Sequence, residues 1–145
     1  MKKKAWMSVF AALLLAVGTA SLSADSFYQL QLRANIPFGF MVGSEVFPAG
    51  VYSVARVGND ASVLVIRSSD GRKSAAFLTL GTPSPEAREE ASLVFNRYGD
   101  QYFHKEVWTV GDVTGRQLFP SRRERELSSA MIDATPDVVA IAAAR

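Results

Sequence analysis

Apolar and polar residues alternate from Phe27 to Ile36. Tyr28, Leu30, Leu32, Ala34 and Ile36 fall on one side, and Gln29, Gln31, Arg33 and Asn35 on the other. A period of two predicts a half-buried strand, and Pro37, lacking an N–H for the ladder, ends it. Phe38, Phe40 and Val42 alternate with Gly39 and Met41, and Gly43-Ser44 is a hairpin turn with Glu45-Val46-Phe47 returning. Pro48-Ala49-Gly50 makes the next turn. Val51–Val57 is a strand, and Gly58-Asn59-Asp60 turns the chain into another at Ser62–Ser68. That strand is apolar on both faces, Val63 and Val65 against Leu64 and Ile66, which predicts burial on both sides, with the helix or the termini as cover.

Asp70-Gly71 predicts a two-residue type I′ hairpin, with positive φ at both positions. It sets Ile66 opposite Ala75 and Leu64 opposite Phe77, so Ser74–Leu80 is the returning strand. Thr82–Glu90 reads as a polar connection, with Ser84-Pro85-Glu86 able to start one helical turn. Ala91–Tyr98 and Gln101–Val110 form a hairpin around Gly99-Asp100, pairing Phe95 with His104 and Leu93 with Glu106. Gly111–Gly115 reads as a turn region. Ser121-Arg122-Arg123-Glu124 matches a capping box, in which the Ser and Glu side chains satisfy each other's backbone N–H groups. Leu127, Ala130, Met131 and Ala134 then recur at helical spacing, which predicts a helix over 121–133 ending before Pro136. Val138–Ala143 reads as a final strand rather than a helix, because Pro136 separates it from the helix. The sum is a mainly β fold, an antiparallel sandwich or flattened small barrel of seven or eight short strands with one C-terminal helix.

The first residues follow another logic. Lys2, Lys3 and Lys4 precede an apolar run from Ala5 to Val17, and small residues follow in Gly18-Thr19-Ala20 and Ser21-Leu22-Ser23-Ala24. This is the three-part plan of a secretory signal peptide, residues 1–20, with cleavage after Ala20 or as late as Ala24. The run is too short to span a bilayer, which needs about 20 residues. Residues 25–145 are then one β-rich domain with no transmembrane anchor after cleavage. The location expected is extracytoplasmic, in the periplasm or secreted.

Removing that leader changes the charge. The chain carries 16 basic and 14 acidic residues; without the three lysines, 13 basic face 14 acidic and the net charge becomes −1. The exported form has no overall basic field, which argues against nucleic acid. There is no Cys and a single His. That excludes disulfides, thiolate metal sites, a Cys nucleophile and any multi-His metal centre within one chain.

Several segments together are similar to a family of small exported proteins abundant in acidobacteria. These are Asn35-Ile36-Pro37-Phe38-x-Phe40-x-Val42-Gly43, Pro48-Ala49-Gly50-x-Tyr52-x-Val54, Leu64-x-Ile66-Arg67-Ser68-x-Asp70-Gly71, Leu93-Val94-Phe95-x-Arg97-Tyr98-Gly99-Asp100-x-Tyr102-Phe103, Val107-Trp108 and Ser121-x-x-Glu124-Arg125-Glu126-Leu127. The resemblance spans nearly all of the chain after the leader. It implies export and carries over no catalytic, ligand or cofactor residue. His104 stands where the family pattern expects an apolar residue.

The candidate chemistry is sparse. Strict alternation puts Tyr102, His104, Glu106 and Trp108 on one strand face, a candidate contact set for a ligand or partner. His104 beside Glu106 could form a general-base pair, but no nucleophile is placed near them. Packing of Trp108 into the core is favoured over a binding role. Arg122, Arg123 and Arg125 alternate with Glu124 and Glu126, which cancels most of their field and predicts a solvated helix start. Arg56, Arg67 and Arg97 lie within strands, where the wet face is favoured over a ligand cavity. The many aromatics, Tyr28, Phe38, Phe40, Phe47, Tyr52, Phe77, Phe95, Phe103 and Trp108, predict a core rather than a pocket lining. The expectation is an exported, non-enzymatic protein without catalytic, cofactor or metal residues. It acts by binding or assembly with a protein or envelope partner. The alternative is a small carrier holding an apolar ligand inside the sheet.

Overall fold

The computed structural model describes residues 28–131 and 135–144, with the side chains of the first few strand residues outside that description. The expected signal peptide, residues 1–20, and Ala134 of the expected helix stripe lie outside the described residues. The protein is mainly β. Ten strands join in one mixed sheet: β1 (Tyr28–Ile36), β2 (Phe40–Val42), β3 (Glu45–Phe47), β4 (Gly50–Val57), β5 (Asp60–Ser68), β6 (Ser74–Pro83), β7 (Ala91–Tyr98), β8 (Gln101–Trp108), β9 (Thr114–Leu118) and β10 (Asp137–Ala143). One helix, α1 (Arg122–Ala130), precedes the last strand.

β1, β4, β5 and β6 follow one another in antiparallel register, and β6–β9–β8–β7–β10 continue the sheet. The crossover lies within β6: Ser74–Leu78 pair with β5, and Thr79–Pro83 with β9. Leu32, Ile36, Val54, Leu64 and Ile66 from the first strands share one buried cluster with Leu93, Phe95, Val107 and Leu118 from the later ones. Strands that are not neighbours can share a core only if the sheet folds over itself, as in a sandwich. It does not close into a barrel; β1 and β10 meet in one bridge, where Arg33 and Ala144 exchange two backbone hydrogen bonds of 2.6 and 2.9 Å.

The β2–β3 hairpin plugs one end of the core. Phe40 stacks on Phe47 at 5.4 Å and meets Tyr52 and Phe95 edge-on at 5.1 and 5.3 Å. The Tyr52 hydroxyl donates to the Pro48 carbonyl at 2.6 Å, fastening the turn that Pro48-Ala49-Gly50 predicted. Burial, then the Asp70 carboxylate, pushes that phenol's pKa above its ordinary value.

Several expectations need correction. Ten strands form instead of seven or eight: β9 starts at Thr114 inside the expected turn region, and the three-residue segments β2 and β3 each pair as strands. The sheet is not purely antiparallel, since β2 runs parallel to β8 with Met41 beside Phe103. The loop after β5 keeps the predicted register, Ile66 with Ala75 and Leu64 with Phe77. Its geometry is not type I′, because Gly71 has φ +72° while no residue other than glycine has positive φ among the described residues. Asp70 explains the wider loop: its Oδ1 accepts from the Ser68 hydroxyl at 2.6 Å and the Arg72 amide at 3.0 Å, closing a local turn of its own. Residues 84–90 make no helical turn, and β6 runs on to Pro83. Within β5, Leu64 and Ile66 enter the core and Val65 is buried, while Val63 is only half-buried.

The helix is shorter than 121–133. Ser121 caps it as predicted, its hydroxyl accepting from the Glu124 amide at 3.1 Å. The apolar stripe does not dock it, because Ala130 and Met131 are exposed and Leu127 half-buried. Glu124 is the one buried residue of the helix, and its carboxylate accepts from Asn96 Nδ2 at 2.8 Å. The helix therefore sits on β7 through a buried polar contact.

Candidate functional site

The hairpin β7–β8 was expected to carry Tyr102, His104, Glu106 and Trp108 on a single face. The structure separates them by a bulge. Tyr98 pairs with Gln101, Arg97 with Tyr102, Asn96 with Phe103 and Phe95 with His104, as a two-residue turn at Gly99-Asp100 requires. The register then slips by one: Val94 pairs with Glu106, Leu93 with Val107 and Ser92 with Trp108, correcting the expected Leu93–Glu106 pair. Lys105 is the extra residue, and an extra residue reverses the facing of everything beyond it.

Tyr102 and His104 therefore share the core side with Phe95, while Glu106 and Trp108 point to the opposite side. Tyr102 stacks on Phe38 at 3.8 Å, and the Arg97 guanidinium lies 5.6 Å from its ring. No His–carboxylate pair forms between His104 and Glu106.

His104 is 3% exposed, with its ring 5.2 Å from Phe95 and 5.6 Å from Phe77. Among the described residues neither ring nitrogen has a hydrogen-bond partner. Burial among the phenyl rings drives its pKa down to about 4, against a smaller opposing influence of the Glu106 backbone, which stands outside hydrogen-bond geometry. Above that pH it is a neutral imidazole packed as part of an aromatic core.

On the other side, Trp108 is 2% exposed and lies across Gly115 of the neighbouring strand: a Cβ built on Gly115 would come 2.6 Å from the indole. Glycine is required there by close approach, and the aromatic ring covers the backbone that it leaves bare. The Arg88 guanidinium stacks on the indole 4.2 Å from a ring centroid, and the indole N–H donates to Glu106 Oε2 at 2.8 Å. Lys105 Nζ stands 3.5 Å from Glu106 Oε1. The segments bearing Arg88 and Asp112 are tied together by backbone bonds from Arg88 N to Asp112 O and from Gly111 N to Arg88 O, 3.2 and 2.8 Å long. Glu106 and Trp108 thus belong to a packed structural stack.

The same outer side holds a polar cluster that the sequence did not announce. Asn96, Tyr98 and Phe103 lie under α1, with Phe103 edge-on to Tyr98 at 5.8 Å. Burial first, and the Glu124 carboxylate second, raise the Tyr98 phenol's pKa above its ordinary value, with the Ser128 hydroxyl opposing. The one available signal was the Glu at the last position of the capping box, Glu124. Its side chain turns to Asn96 instead of reaching back to the cap.

Arg67 and Arg97 are exposed and Arg56 half-buried. Arg122 pairs with Glu126 at 2.9 Å in solvent, and Arg125 donates to the Pro120 carbonyl at 3.1 Å. Phe38, Phe40, Phe47, Tyr52, Phe95 and Tyr102 pack ring against ring at the core, and Phe77 packs against it beside His104. A groove of about 300 Å³ lies beside it, lined by Gly39, Met41, Val46, Asp100, Gln101 and Tyr102 among others, and open to solvent. Among the described residues no three His, Asp or Glu side chains gather as a metal site, and no helix is long and apolar enough to cross a membrane.

The most conspicuous surface feature lies on the outward side of β6. Leu78 and Leu80 are 63% and 56% exposed, and Phe119, just past β9, is 57% exposed. The pairing of Thr79 with Leu118 sets Phe119 beside Leu78, and Leu80 faces Gln117. The result is one exposed apolar band rather than scattered residues. No family model, curated protein or solved structure matches the chain.

Proposed function

We propose that the protein is exported, is not an enzyme, and acts by binding or assembly in the cell envelope or outside the cell. The observation that carries this reading is the exposed group of Leu78 and Leu80 on β6 and Phe119 just past β9, on a strand whose other face, through Ala75 and Phe77, packs against the core. Soluble domains rarely keep large side chains exposed together unless something covers them. Export is supported by the Lys2–Lys4 cluster, the apolar run that follows and the resemblance to small exported proteins. A non-catalytic role is supported by the bulge at Lys105, which separates His104 from Glu106 and leaves both ring nitrogens of His104 without a partner.

The test is fractionation of the producing cells. The protein should leave the cytoplasm shortened by 20 to 24 residues and sediment with a partner or with the envelope. The double substitution Leu78→Lys/Leu80→Lys should release it to the soluble fraction while leaving the melting temperature within the usual range for surface changes. Unchanged sedimentation of the double variant, or wild-type protein that stays full-length and cytoplasmic, refutes the reading.

A further inference from the structure

The last strand is held differently from the others. β10 is the one strand, among those described, that contributes no buried side chain: Val138, Ala140 and Ala142 are exposed, and Val139, Ile141 and Ala143 are half-buried. What it covers is the reverse. In β7, Leu93, Val94, Phe95 and Asn96 are all buried, and Leu93 and Phe95 belong to the central core. β10 pairs with β7 along its full length, from Asp137 opposite Arg97 to Ala143 opposite Ala91. On its other side β10 packs alongside β1, and Ala144, just past its end, bridges to Arg33. β10 is therefore held by its backbone ladder to β7 and by the half-buried packing of Ile141 and Ala143 against the core, and it shields an edge that would otherwise be long and apolar.

We propose that β10 is an exchangeable closing strand, and that the β7 edge is a docking site for the β10 of a second copy of this chain. The fit of the partner is already on view, since the chain's own strand occupies that edge in full register. The exchanged arrangement makes the same ladder and the same half-buried contacts as the closed monomer, so the two states differ mainly in the cost of association. Concentration then selects between them. This inference rests on the assembly reading above and gives it a partner and a surface.

The absence of native cysteine makes the exchange directly readable. Ser92 and Ala142 are register partners. The leader-free chain is prepared as two separate variants, Ser92→Cys and Ala142→Cys. They are mixed at high concentration, warmed to near the melting midpoint, cooled and oxidised. Exchange predicts a covalent dimer whose cross-linked peptides join position 92 of one chain to position 142 of the other. It should exceed, by severalfold, the same species formed without warming. A second pair, Arg97→Cys with Asp137→Cys, reads the other end of the ladder. Absence of both interchain cross-links overturns the proposal, as does their formation at equal yield in unwarmed samples, which marks random collision. That failure stays distinct from failure of the binding reading, because the lysine substitutions at Leu78 and Leu80 lie on another strand and have a different readout.

Discussion

Replacement of His104 gives the sharpest test of the core. In the unfolded chain an imidazole titrates near 6.5, and in the folded protein near 4. Above the unfolded value both states are neutral and the pKa difference costs nothing. As the pH falls below 6.5 the unfolded chain takes up the proton and the folded one does not, so stability declines by about 1.4 kcal/mol per pH unit. The decline ends near pH 4, after a loss of about 3 kcal/mol. His104→Leu removes that loss. It also removes two buried nitrogens with no partner, which should add about 1–2 kcal/mol at pH 7. The assay is urea unfolding of the leader-free protein and its variant at several pH values between 7 and 4, followed by tryptophan fluorescence. Carboxylates titrate in both proteins, so the informative quantity is the difference between them. That difference should favour the variant at pH 7 and widen steadily toward pH 4. Parallel stability curves would refute the reasoning, since they would mean that His104 is solvated or partnered in the folded state.

Five other substitutions, at four positions, probe other parts of the fold. Trp108→Ala should cost about 3–5 kcal/mol by thermal or chemical unfolding; Gly115→Ala, which drives a methyl into the indole, should cost about 1–3 kcal/mol. Near-neutral results for both would remove Trp108 from the packed stack. Gly71→Val should lower stability by about 1–3 kcal/mol and Gly71→Asn by less, because φ +72° suits Asn far better than a β-branched residue; equal melting temperatures for Gly71→Val and wild type would contradict the turn geometry. Glu124→Ala leaves Asn96 without its buried partner and should cost about 1–3 kcal/mol, with loss of α1 protection in hydrogen exchange; a helix that stays protected would show that other contacts dock it.

Strand positions and hairpin registers were legible because each depends on a local signal. Alternation marks a half-buried strand, and Asp70-Gly71 or Gly99-Asp100 fixes what faces what. The bulge at Lys105 was not legible. Phe103, His104, Val107 and Trp108 are all apolar or aromatic, so either facing of the later pair satisfies the pattern, and one extra residue leaves no trace in it. β9 was missed for a different reason: Thr114-Gly115-Arg116-Gln117-Leu118 has a glycine where strands are weakest, and its place is set by Trp108 across the sheet. Ser121 could be recognised as a cap because capping is local. The inward turn of Glu124 could not, since it depends on Asn96, far away in sequence. Tyr102, His104, Glu106 and Trp108 do not share one face because of the bulge, and the exposed band on β6 is not marked in the sequence, because Leu78 and Leu80 read equally well as core-facing positions of a strand.

The division of β6 between two sets of partners bears on how the molecule comes apart. Residues 74–78 are committed to β5 and residues 79–83 to β9, within ten consecutive residues. No boundary can be drawn that leaves each half with complete pairings, so neither half is an independent cooperative unit. Loss of either half frays a strand that the other requires, and unfolding should proceed as one all-or-none transition. The chain from residue 21 onward contains Trp108 as its lone tryptophan. A fluorophore on β8 should thus report the melting of β1 and β4, on the far side of that shared strand, at the same midpoint as far-ultraviolet circular dichroism.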